Sequence, residues 1–324
     1  TDFEELHILT PSLTWSPDGR KLAVTAKAGD KDVIYIIDIN SEDKTTLPLN
    51  FNTIYYVSWS PVEDNIAFIG ANGDRSNLYV YNLKKKTLET LTDDIFSDAN
   101  PTWSLDGKRI FFTSDRSGYT DPATIPKDLK MWNYDYSNTD YYSINLQTKA
   151  IERLSDLKYS KESYAQINSD GKKMIYLSDK NGITNIYMRE IDSSGNFTDK
   201  PITNALNPID QLSLSKDGKK LLFVSLNKGG YDIFSMDNPL ERNIGLKELE
   251  LTDYQKKSRE YDVKFGKKLY TLNGSDQLIS DSIKIAVRND SMKKSSDYFI
   301  TDPGKVSEDS SMNYSYIDSA NSKD

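Results

Sequence analysis

LTWSPDGRKLAVTAKAGDKDVIYIIDI, from Leu13 to Ile39, decides the fold, because the chain repeats it. VSWSPVEDNIAFIGANGDRSNLYVYNL follows from Val57, and PTWSLDGKRIFFTSDRSG from Pro101. Trp15, Trp59 and Trp103 therefore recur every 44 residues. A period of about 40–45 residues is what one four-stranded propeller blade needs. Two degenerate copies start at Ala165 and Gln211, with Ile167 and Leu214 in the Trp position. A shortened sixth copy reads YDVKFGKKLYTLNGS from Tyr261 and SIKIAVRN from Ser282.

Each unit reads as four strands, a to d. Strand a ends at the Trp-type residue. Asp18-Gly19, Asp106-Gly107, Asp170-Gly171 and Asp217-Gly218 then turn the chain, since Asp-Gly readily supplies positive φ. Strand b is apolar and β-branched, and strand c alternates, as in Leu78-Tyr79-Val80-Tyr81. Strand d is short and ends in Leu-Thr or Leu-Ser, at Leu91-Thr92, Leu154-Ser155 and Leu251-Thr252. The sixth unit lacks a strand d, whereas residues 3–10 have the strand-d pattern ahead of the first unit. A propeller that does not close leaves two sheet faces exposed. The sequence thus predicts an all-β, six-bladed β-propeller of four-stranded antiparallel blades over residues 1–290, its last blade completed by residues 3–10. The three Trp residues are expected in the buried seams between blades. Residues 291–324, rich in Ser, Asp, Asn and Lys, read as a polar tail or linker.

Composition excludes several chemistries. The formal charge of −8 disfavours a nucleic-acid partner. No run approaches the length of apolar chain that spans a bilayer. With no Cys there is neither a disulfide nor a thiolate–zinc site, and His7 is the only histidine. A Ser-His-Asp or Cys-His arrangement needs a histidine base, and His7 sits in the expected closing strand. No Gly-x-Ser-x-Gly elbow and no Asp-x-Asp-x-Asp-Gly calcium loop occurs. The reading is of a chain that is not an enzyme and needs no cofactor or metal. Two carboxylates would suffice for glycoside hydrolysis, but the turns read Ser-x-Asp-Gly, one residue short of the sialidase box.

WSPDGRKLAV, WSLDGKRIFFTSDRSG and NSDGKKMIYLSDKNGITNIYM resemble the repeats of TolB-like propellers, a type also found in tricorn-type peptidases. The resemblance covers residues 3 to about 290, without the α/β domain that precedes the propeller in TolB. It implies a periplasmic or secreted scaffold without cofactor, whose partner is a protein or peptide segment on one rim or in the axial channel. The start at Thr1, without Met or a signal sequence, reads as a processed protein or an excised domain, and the chain is expected to be a monomeric domain of a larger protein. The alternatives are an accessory substrate-filtering propeller of a peptidase and a carbohydrate-binding propeller.

Strand direction puts the b–c and d–a loops on one rim. The third unit carries about 20 extra residues there, after Gly118, which bring Tyr119, Trp132, Tyr134 and Tyr136 into one loop. Trp and Tyr are preferred interface anchors, and the competing reading is a local core folded over the blade edge. Asp98 of the second d–a loop and Asp115 with Arg116 of the SDRSG turn lie near it, as contacts or as turn-fixing groups. Tyr55, Tyr164, Asp210 and Arg259 begin strands a and are expected around the channel mouth.

Overall fold

The first, third and fifth blades each carry a Ser-x-Asp-Gly turn. The Ser16 hydroxyl donates to Asp18 at 2.6 Å and accepts the Lys21 amide at 2.8 Å, while Asp18 takes the Arg20 amide at 3.1 Å. The same three bonds recur around Ser104 and Ser215. Gly19, Gly107 and Gly218 occupy left-handed φ of 68°, 68° and 72°, which the turn requires. These hydrogen bonds hold the Asp18, Asp106 and Asp217 carboxyls below their ordinary range.

The computed structural model describes residues 5–6, 13–131, 134, 138–156, 159–168, 172–191 and 197–265. The first sheet holds β1 (Glu5–Leu6), β2 (Leu13–Trp15), β3 (Lys21–Ala28), β4 (Lys31–Asp38) and β5 (Lys44–Thr46). The second holds β6 (Thr53–Trp59), β7 (Asn65–Ala71), β8 (Ser76–Asn82) and β9 (Thr87–Thr90). The third comprises β10 (Asp98–Trp103), β11 (Arg109–Ser114), β12 (Asp140–Asn145) and β13 (Ile151–Arg153). The fourth is β14 (Glu162–Ile167), β15 (Lys173–Ser178), β16 (Asn185–Ile191) and β17 (Phe197–Pro201). The fifth has three strands, β18 (Ile209–Leu214), β19 (Lys220–Asn227) and β20 (Gly230–Asp237). Every ladder is antiparallel and follows chain order, with β1 the exception.

The core lies in the seams between neighbouring blades. Ile34 and Ile36 of the first blade meet Ile54, Trp59 and Phe68 of the second. Ile69 and Leu78 of the second meet Trp103, Ile110 and Phe112 of the third. Tyr141 of the third packs on Met174, Tyr176 and Tyr187 of the fourth. Ile175 and Ile186 of the fourth pack on Leu212 and Leu221 of the fifth. Strand β7 is buried along its whole length because both of its faces are covered.

Four expectations are corrected. The described residues form five blades, not six. Glu5 and Leu6, the described residues of the N-terminal segment, pair with Lys27 and Ala26 of the first blade, beside β2, and not with the last blade. Trp15 is accordingly not buried like Trp59 and Trp103; it is 51% exposed, against 7% and 5%. Leu251-Thr252 forms no outer strand of the fifth blade, and the segment from Tyr261 to Phe265 is helical, in α1 (Asp253–Phe265), rather than a sixth strand a. The physical reason is local. Leu249 buries against Tyr176 and Tyr187 of the fourth blade, and the Thr252 amide donates to the Asn181 carbonyl at 2.9 Å. Thr252 Oγ1 then accepts the Gln255 amide at 3.3 Å, the cap that starts α1. The rest of the sixth copy and the 291–324 tail lie outside the described residues.

Candidate functional site

The innermost strands of the second to fifth blades share one irregularity. Each ladder slips register once, between Tyr55 and Ser58, Ala99 and Thr102, Ser163 and Gln166, and Asp210 and Leu212. In each slip one residue takes a left-handed backbone: Tyr56 (φ 50°), Asn100 (52°), Tyr164 (56°) and Gln211 (53°). None is glycine, so each position costs about 1–2 kcal/mol that the surrounding sheet must supply. All four stand three residues before the Trp-type position of their repeat. The matching residue of the first unit, Ser12, lies outside the described residues.

These four residues line one cavity of about 530 Å³, which also takes wall from Trp15 and Gln166. It runs along the innermost strands β2, β6, β10, β14 and β18, as an axial channel does, and on over Leu222, Phe223, Val224 and Ile233 of the fifth blade. No Lys, Arg, Asp or Glu is among its described lining residues. The Tyr56 and Tyr164 rings, from the second and fourth blades, meet edge to face at 6.4 Å. Tyr55 lies 6.2 Å from Tyr56, ring to ring. Asp210 accepts the Gln211 amide at 2.8 Å and lies close enough to Tyr164 for its charge to act on that phenol. Burial, with the Asp210 charge next in weight, raises the Tyr56 and Tyr164 phenols above their ordinary range. Of the residues the sequence placed at the mouth, Tyr164 lines the cavity, Tyr55 stands beside Tyr56, and Asp210 holds the Gln211 amide. Arg259 is elsewhere: α1 carries it to the b–c loop of the fourth blade, where it donates to the Lys180 carbonyl at 2.8 Å and covers the Tyr159 ring. Sequence reasoning missed Tyr56, Asn100 and Gln211; their shared offset from the Trp-type position was the available signal.

The insertion of the third blade is built differently. Tyr119 and Tyr134 are buried, at 1% and 5% exposure, in a cluster with Phe96 and Leu129. The Tyr119 ring stacks on Phe96 at 5.6 Å, and the Tyr134 hydroxyl donates to the Asp115 carbonyl at 2.8 Å. The loop's described aromatics therefore make a local core over the blade edge. Trp132 and Tyr136 lie outside the described residues.

Beneath that core Arg116 is fully buried. Its guanidinium reaches Asp94 at 3.1 Å, Asp98 at 2.7 Å and Ser114 at 3.0 Å, and faces the Phe112 and Tyr142 rings. Thr92 donates to the other Asp98 oxygen at 2.6 Å. Burial opposes the Arg116 charge, but Asp98 and Asp94 outweigh it and hold its pKa above the ordinary value. Asp115 takes the Ser97 amide at 2.9 Å, and burial pushes its carboxyl up to about 6. The network ties the d–a loop before β10 to the b–c turn after β11. Among the described residues no group of three or more His, Asp or Glu is placed to hold a metal.

Residues 4–124 match the family model of the TolB beta propeller domain. TolB from Acinetobacter baumannii superposes with a TM-score of 0.54 at 19% identity, over 70% of this chain and 51% of that one. A putative TolB from Agrobacterium tumefaciens gives 0.54 at 17% identity, over 70% and 76%. A puromycin-hydrolyzing peptidase of Mycobacterium tuberculosis gives 0.50 at 14% identity, over 75% of this chain and 38% of that one. The chain spans about half the length of the Acinetobacter protein. No curated protein sequence matches it. The repeat and the four-stranded antiparallel blades make this a β-propeller, and its residues 4–124 are similar to the TolB propeller domain.

Proposed function

We propose that this chain is a non-catalytic scaffold that binds a protein or peptide segment at the axial channel, on the rim side that carries the 119–140 insertion, in the periplasm or outside the cell. One observation carries the reading. Four successive blades each hold a non-glycine residue in a left-handed bulge, and the four side chains converge on one channel. Backbone strain repeated at one place is a mark of function, because stability alone would put glycine there. The lining suits an extended chain: phenol rings offer faces for side chains, and the Asn100, Gln166 and Gln211 amides can pair with peptide groups. The reading as an accessory propeller of a peptidase draws on the likeness to the mycobacterial enzyme, which is a likeness of fold. Both readings use the same channel.

A peptide array probed with the purified chain tests this. Binders are expected whose signal falls at least about 10-fold with Tyr164→Ser, a change of about 1.4 kcal/mol, and is kept with substitutions on the distant a–b turns. An array without binders sensitive to Tyr164→Ser would sink the proposal.

A further inference from the structure

We infer that the fifth blade takes its fourth strand from another protein: an extended segment that pairs with the free edge of β20, apolar opposite Tyr231 and Ile233 and basic opposite Asp232. The surface is a different one from the Tyr164 wall of the channel. In the first four blades the third strand, β4, β8, β12 or β16, is paired on its far side by β5, β9, β13 or β17. Among the described residues β20 has no such neighbour. The chain's own outer-strand ending, Leu251-Thr252, is engaged elsewhere. Leu249 is buried on Tyr176 and Tyr187, and the Thr252 amide donates to the Asn181 carbonyl.

The hairpin sets which groups the edge presents. Lys228 and Gly229, at φ 49° and 85°, make the two-residue turn from β19 to β20, so Asn227 and Gly230 form the hydrogen-bonded pair that closes it. Bonded pairs then alternate along the ladder, Ser225 with Asp232 and Phe223 with Phe234. The amides and carbonyls of Tyr231, Ile233 and Ser235 therefore point away from β19, into the open edge. Tyr231 and Ile233 are each 75% exposed, on one face with Leu222 and Leu226. β20 is eight residues long, against three to five for the outer strands of the other blades. It holds no Pro, no Lys and no bulge, the devices that keep an exposed edge from pairing. Such an edge is a template for an added strand.

Charge chooses the occupant. β20 carries Asp232 and Asp237 and no Lys or Arg, and the whole chain carries −8. Asp237 has Lys220 at 3.8 Å, whereas Asp232 has the neutral Asn227 amide at 2.7 Å. A second copy would bring the same carboxylates to the same edge. A segment with Lys or Arg opposite Asp232 makes a cross-strand pair of opposite charge instead, and β-branched or aromatic side chains opposite Tyr231 and Ile233 cover the exposed face.

The probe is an eight-residue peptide alternating valine with lysine, titrated into the whole chain. Saturable binding is expected, at least about 10-fold weaker with glutamate in place of lysine. Methylating the peptide's backbone nitrogens one at a time should weaken binding at alternate positions only, since every second amide faces β20. Ser235→Pro removes an N–H that bonds nothing in the sheet, so the urea midpoint should hold while probe binding falls at least about 10-fold. Should that variant fail to fold, Ile233→Lys at an exposed position gives the same readout. Absent binding, equal binding of the glutamate peptide, or methylation sensitivity without the two-residue period overturns the inference. So does self-association of the chain that Ser235→Pro abolishes, which gives the edge to a second copy. Each of these leaves the channel proposal standing, because that one falls with Tyr164→Ser.

Discussion

The rim of the third blade and the wall of the channel are made from the same residue types, Tyr, Asp and amides, and they do opposite things with them. On the rim, Arg116 is closed in by two carboxylates, a hydroxyl and two ring faces, and the described Tyr rings are buried. On the channel wall, the Tyr rings are half-buried and held out by a backbone that costs energy to maintain. A region whose polar groups satisfy one another stabilises the fold. A region that keeps rings half-open at the cost of strain is prepared for a guest. Residue type does not separate the two; the degree of internal satisfaction does.

That contrast is broken most directly at Arg116. Arg116→Met removes the cation and leaves Asp94 and Asp98 buried without it. Removing one member of a buried ion pair costs about 3–5 kcal/mol. Urea unfolding should show a loss of that size, with peptide binding by the folded fraction little changed. A loss below about 1 kcal/mol would mean that the network is not structural.

Glu162 sharpens the contrast through pH. It is 1% exposed in the seam between the third and fourth blades, takes the Ser155 hydroxyl, and lies near Tyr141, Tyr176 and Arg189. Burial pushes its carboxyl up to about 8 from an ordinary 4.5; the Ser155 bond and Arg189 pull the other way and lose. Between those values the folded chain holds a proton that the unfolded chain has released. Its contribution is fully present below the unfolded value and is lost as pH rises through the folded one. The slope is at most about 1.4 kcal/mol per pH unit. Glu162→Gln cannot ionise, so its urea midpoint should fall less than the native one from about pH 5 to about pH 8. Parallel slopes would place the Glu162 carboxyl in the ordinary range.

The sequence carried the blades well and the ends badly, for one physical reason. The Ser-x-Asp-Gly turns and the apolar b strands are local, so each of Trp15, Trp59 and Trp103 announces its unit by itself. Closure is not local. Glu5 and Leu6 pair with β3 beside β2, and a strand pattern cannot say which edge such a segment takes. Leu251-Thr252 has the ending of an outer strand, yet Leu249 finds a better-packed seat on Tyr176 and Tyr187. Thr252 and Gln255 stand three apart, and Thr252 Oγ1 accepts the Gln255 amide to cap α1 there. The candidate site was half legible. Tyr55, Tyr164 and Asp210 could be placed by counting from the Trp-type residue, but the bulge that gathers Tyr56, Asn100, Tyr164 and Gln211 depends on φ. Their shared offset singles the four positions out, but the letters Tyr, Asn, Tyr and Gln do not announce positive φ there.

The smallest expected effect decides whether that bulge is strained for a purpose. Gln211 is half-buried at φ 53°, where glycine fits without penalty. Gln211→Gly should therefore leave stability unchanged or raise it by about 1 kcal/mol, since relief of the left-handed strain exceeds the entropy glycine loses on folding. The same substitution removes an amide from the channel and should weaken the array binders. Gain in one assay with loss in the other is the signature of a site that trades stability for recognition. If Gln211→Gly destabilises the fold and leaves binding intact, the bulge is an architectural joint, and the repeated left-handed residues belong with Arg116 rather than with the guest.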